Sequence, residues 1–252
     1  MNNKRYRNVL FFFIVIPAIV AGAVGLRGQS KNAPSFQQRM TGKQKEHSKL
    51  YKGEQYRSKK KIKDLLDAQP KGLLVKVGRP LQGGDPAAPP FNFQKFMSRL
   101  SCSADAIVIG TVKSKSSNLT EDEDFIFTDY EIKVDEVLKN NPAAPIIPLN
   151  DITITRPGGS ILFGNKLAEA IDVSFKPLEL EQHYVLFLKF IPSTGAYKAV
   201  DSKSSYQILG DKLSKLTEEY IGPNNDELDT TFFLNEIRSA ANCNNAQGDK
   251  SE

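Results

Sequence analysis

Apolar positions follow three regimes along the chain. From Val9 to Gly25 they form one stretch interrupted only by Pro17, with Lys4, Arg5 and Arg7 before it and Arg27 behind. A basic flank, an apolar run and small residues at Ala21 and Ala23 are the outline of a secretory signal peptide. The run is also at the short limit for a membrane-spanning anchor. Both readings keep the basic flank cytoplasmic and put the remainder outside, so residues 1–29 are expected to be a signal peptide or membrane anchor. No cysteine follows the run closely, which argues against a lipid-modified N-terminus.

From Ser30 to Pro90 apolar residues are sparse among Lys, Gln, Ser and Gly, too few to offset the entropy of ordering the backbone. The pattern predicts a basic disordered tether over 30–90. Within it Ile62, Leu65 and Leu66 have helical spacing behind Lys59, Lys60, Lys61 and Lys63. A basic helix of that kind can touch an anionic membrane surface; a solvated linker with a transient helix is the alternative. The stretch Gly83 to Pro90 breaks regular structure and sets a domain boundary.

Periodic patterning begins after the prolines. Phe93, Phe96, Met97 and Leu100 recur at i, i+3, i+4 and i+7, a short helix. Ala106-Ile107-Val108-Ile109 leads through Gly110 to Thr111-Val112, a buried strand with a bulge or close packing at the glycine. Ile126, Tyr130, Ile132, Val134 and Leu138 alternate with Asp129, Glu131, Lys133 and Asp135, a strand with one dry face. Ile152 to Thr155 alternates again before the turn Pro157-Gly158-Gly159. Ile161 to Phe163, Ile171 to Phe175, Ala196 to Val200 and Tyr206 to Leu209 read as further short strands. Tyr184 to Leu188 is apolar throughout and is expected to be central. Phe233, Ile237, Ala240 and Ala241 form a last helical stripe, which ends at Cys243.

The order helix, six to eight short strands, helix predicts a mainly β domain over 91–243: an OB-like antiparallel barrel flanked by an N-terminal and a C-terminal helix. Residues 244–252 are expected to be a disordered tail.

Charge sharpens this division. Residues 1–29 hold four Lys/Arg and no acid, and residues 30–80 hold fourteen against four acids. From 81 onward 16 Lys/Arg face 25 Asp/Glu. The positive charge therefore sits outside the expected folded domain, whereas phosphate binding needs it on a folded surface, so no nucleic-acid partner is expected.

The run Ser103 to Val112, the segments Tyr130 to Lys139 and Ile152 to Gly159, and Pro177 to Leu188 resemble successive segments of secreted bacterial netrin-like and metalloproteinase-inhibitor-like domains, over about residues 102–210. The resemblance implies an OB-type barrel. It also raises protease inhibition as an alternative function, although such inhibitors coordinate zinc through a cysteine at the mature N-terminus, and Cys102 lies far downstream of the cleavage point.

The chain contains two histidines, His47 in the expected tether and His183 at the start of the central strand, and two cysteines. That inventory is thin for a zinc site. No G-x-S-x-G elbow, Walker loop or G-x-G-x-x-G occurs. A hydrolase would have to rest on His183, with Cys102 the one thiol available to it. The acidic run Glu121 to Asp124 lacks calcium-loop spacing. No catalytic residue, metal or cofactor is assigned. An even cysteine pair in an exported chain favours a disulfide between Cys102 and Cys243, each at the end of a flanking helix. The resulting expectation is an extracytoplasmic, non-catalytic binding or structural module with a protein or cell-envelope polymer as partner.

Overall fold

The computed structural model describes residues 40–53, 56, 58, 60–69, 72–77, 92–216 and 227–241, all within one compact unit spanning 36–252. The assignments for 1–29 and 244–252 lie outside the described residues.

The architecture is mainly β with a large sheet, and it is built on one long hairpin. β2 (Ala106–Leu119) and β3 (Ile126–Lys139) each run 14 residues. Their register shifts at three places, one of them between Ile109 and Gly110. At Gly110 a Cβ would stand 2.6 Å from Ile132 Cγ2 and 2.7 Å from the Lys133 carbonyl oxygen, so the strands approach as closely as only glycine permits. On β3, Thr128, Tyr130, Ile132 and Val134 are buried on one face, as the alternation predicts.

β2 also pairs with β7 (His183–Ile191), and β3 with β4 (Asp151–Pro157). β4 pairs in parallel with β8 (Ala196–Ala199), which returns antiparallel onto β7. The hydrogen-bonded neighbours thus run β7-β2-β3-β4-β8 and back to β7. Beyond β7 the sheet continues through β9 (Ser205–Leu209), β10 (Lys212–Lys215) and β11 (Glu227–Asp229). β10 and β11 escaped the sequence pattern because in β10 only Leu213 is buried.

β7 is apolar throughout because both of its faces are covered. Tyr184, Leu186 and Leu188 join a core with Val108, Val112, Ile132 and Ile154. Val185 and Phe187 join a second core under two helices, α3 (Phe93–Ser103) and α4 (Thr230–Ala240), through Phe96, Met97, Leu100, Phe233 and Ile237. Asn92 and Asp229 cap the two helices by accepting from the amides of Lys95 and Phe232. Lys139 Nζ donates to the carbonyls of Ser101 and Ala104, tying the end of β3 to the end of α3.

The segment expected to be a tether is structured in its described parts. α1 (Gly42–Lys49) opens with a capping box in which Thr41 and Gln44 satisfy each other's amides. α2 (Ile62–Asp67) follows, and then β1 (Leu73–Val77) pairs in parallel with β6 (Lys166–Asp172), which forms a hairpin with β5 (Gly159–Phe163). These elements cover the far half of the long hairpin. Tyr51, Ile62 and Leu66 are buried against Phe125, Phe127, Ile161, Ala168 and Ala170. Tyr51 stacks on Phe127 at 5.4 Å between centroids, and Tyr56 lies 5.1 Å from Phe125. The boundary expected near residue 90 therefore moves N-terminal of α1. Ile62 and Leu66, two of the three apolar residues in the basic stretch, pack into this core. Low apolar density misled because Tyr51, Ile62 and Leu66, spread along the segment, converge on one strand surface.

Candidate functional site

Two of the residues that sequence singled out stay apart. His183 is exposed, with 57% of its side chain accessible. Thr111 Oγ1 donates to Asp135 Oδ2 at 2.9 Å and lies 3.2 Å from His183 Nδ1. With its proton committed to Asp135, Thr111 is not activated by this imidazole. Thr111 pairs with His183 and Ala106 with Leu188, so His183 stands about 16 Å along the sheet from the strand end that follows Cys102. The pair does not form a thiol–imidazole site. Cys102 itself is disulfide-bonded near the end of α3, and Cys243 lies outside the described residues.

The other histidine sits in a cluster that sequence reasoning missed. His47, 1% exposed, places Nδ1 2.9 Å from Asp129 Oδ1 on β3 and Nε2 3.0 Å from Thr194 Oγ1 in the β7–β8 turn. A carboxylate, imidazole and hydroxyl in line is the arrangement that activates a nucleophile. Here the imidazole is sealed from solvent and Thr194 Oγ1 also accepts from the Ala196 amide at 3.3 Å, so the line acts as a clamp that fastens α1 to β3 and to the β7–β8 turn. His47→Ala is expected to cost about 2–4 kcal/mol, because it strands two largely buried partners. Urea denaturation checks this: the midpoint should fall with the slope unchanged, and an unchanged midpoint refutes the clamp.

The third cluster centres on Arg156. Ile152 and Ile154 point inward from β4, and Arg156, two places on, takes the same inward phase opposite Thr128. It is 2% exposed. Nη1 donates to Ser205 Oγ at a long 3.5 Å, while Nε and Nη2 have no partner. The guanidinium lies 5.3 Å from the ring centre of Phe175, a half-buried residue just beyond β6. Burial pulls its pKa below the ordinary value, opposed by the phenols of Tyr130, Tyr51 and Tyr184 and by Asp172. Burial likewise raises Tyr51, Tyr130 and Tyr184. Asp172 is pushed up by burial against hydrogen bonds from Ser174 and Tyr56. Among the described residues no carboxylate comes within ion-pair distance of Arg156.

Elsewhere Leu74, Leu162 and Leu167 lie about half exposed on the outer face of the β1-β6-β5 sheet. Glu121 and Glu123 pair with Lys52 and Lys61. Among the described residues no group of three His, Cys, Asp or Glu is placed to hold a metal ion, and no helix is long and apolar enough to cross a membrane. No protein-family model matches the chain, and no curated protein matches its sequence.

Proposed function

We propose that the chain is an extracytoplasmic, non-catalytic binding module, in which the ring β7-β2-β3-β4-β8 is an OB-like barrel and the flanking helices are joined by a Cys102–Cys243 disulfide. The return of the strand pairing onto β7 and the parallel β4–β8 step support the barrel reading, as does the resemblance of residues 102–210 to netrin-like domains. Export rests on the apolar run Val9 to Gly25 and its basic flank.

The observation that carries the binding role is the leucine face. Three leucines in neighbouring strands, each about half exposed, form a patch of the kind that partner contacts cover. The partner is a protein or cell-envelope polymer. Crosslinking in the native cell tests this, with the wild type compared against Leu162→Asp/Leu167→Asp. The wild type should yield a defined envelope adduct that the variant loses while keeping its thermal midpoint. Recovery of the protein in the cytosol, or identical adducts from both chains, removes the reading.

A further inference from the structure

Arg156 carries a charge that the fold neither exposes nor pairs. Placing a guanidinium out of water is unfavourable unless hydrogen bonds and an opposite charge compensate it. Among the described residues, Nη1 alone of its three nitrogens has a hydrogen-bond partner, at 3.5 Å. The two unpartnered nitrogens are Nε and Nη2. Their N–H groups point the same way from one edge of the planar group, the edge that receives two oxygens of one carboxylate or phosphate side by side.

Asp172, the carboxylate whose charge acts on Arg156, does not fill that role. Asp172 accepts from the Ser174 amide at 2.8 Å and from Tyr56, and it forms no ion pair with Arg156. A water molecule would accept from these N–H groups but leave the charge unbalanced. Phe175 offers the face of its ring from the turn after β6, a cation–π contact that supplies no opposite charge. Phe175 is itself half-buried, so the ring against the guanidinium is one that reaches the surface.

We infer that Arg156 is the anchor of an internal oxyanion site, which takes a small carboxylate or phosphate group bidentately on Nε and Nη2, with Phe175 as its cover. The site is distinct from the leucine face and does not depend on which partner covers that face.

The test titrates the full chain with sodium acetate and, separately, with sodium phosphate. Sodium chloride at matched ionic strength is the control. Thermal midpoint and the NMR signal of the Arg156 Nε–H, assigned from its absence in Arg156→Lys, are the readouts. At least one oxyanion should raise the midpoint saturably and shift the Nε–H signal along the same curve. Which of the two does so tells a carboxylate from a phosphate ligand. Arg156→Lys, which keeps the charge but not the paired donors, should bind about tenfold more weakly or worse. Arg156→Met should not bind, and it is expected to fold because an apolar side chain of similar length suits that interior. If Arg156→Met does not fold, the wild-type Nε–H titration decides alone. Absence of saturable binding by both anions, a midpoint rise with no movement of the Nε–H signal, or equal affinity in Arg156→Lys overturns the site.

Discussion

A chain that starts at residue 91 is expected to lose cooperative unfolding, whereas one that starts at residue 36 keeps it. The segment between them supplies Tyr51, Ile62 and Leu66, all buried, and each is worth about 1.5–3 kcal/mol when withdrawn from water. Even with a discount for a compact unfolded state, their sum approaches the whole stability of an ordinary domain, about 5–15 kcal/mol. Further losses follow at the surfaces they cover. Phe125 and Phe127 would face solvent, and β6 would lose its parallel partner β1 and become an unpaired edge. Thermal denaturation by circular dichroism, with a dye for exposed apolar surface, compares the two chains. The shorter one should melt broadly or not at all and bind dye. Equal sharp transitions would mean that residues 42–77 only decorate a domain complete without them.

What the sequence disclosed depended on whether a residue's burial follows from its immediate neighbours. β7 was legible because both of its faces are covered, and β3 because one face is buried while Glu131, Lys133 and Asp135 on the other stay exposed, so a local pattern reports a global environment. The stripe Phe93, Phe96, Met97, Leu100 was legible for the same reason, with a helical period. The bulge at Gly110 showed itself as a small residue inside an apolar strand. Residues 42–77 were not legible because Tyr51, Ile62 and Leu66 are separated by lysines and pack on a surface distant in sequence, so density along the chain undercounts them. One local signal was available. Thr41 followed three places later by Gln44 is a helix-start signature, and it marks α1. Nothing local marks His47, whose partners are 82 and 147 residues away. Arg156 was within reach, since extending the alternation of Ile152 and Ile154 by two positions puts a charged residue in the inward phase. A charge in an apolar phase signals strain or function, and here it is the centre of the polar cluster.

Opening the disulfide at Cys102 is expected to cost about 4–5 kcal/mol without dissolving the sheet. Cys102 precedes Cys243 by more than 100 residues, and in the chain-entropy model a crosslink closing a loop of that length restricts the unfolded chain by about that amount. The native side of the equilibrium should change little, because the two helices already hold each other. α3 and α4 each have 11 residues, and their first turns meet where Phe93 stacks on Phe232 at 5.9 Å and lies 6.1 Å from Phe233. Cys102 lies at the other end of α3, and Cys243 follows α4 by three residues, so a bridge there closes the pair opposite its aromatic contact. Cys102→Ser and Cys243→Ser should each unfold at a lower denaturant concentration, and by the same amount as the reduced wild type. Their far-ultraviolet circular dichroism should stay that of a β-rich fold. Two free thiols in protein isolated from its native compartment, or variants as stable as the oxidised wild type, would show that α3 and α4 are held by packing alone.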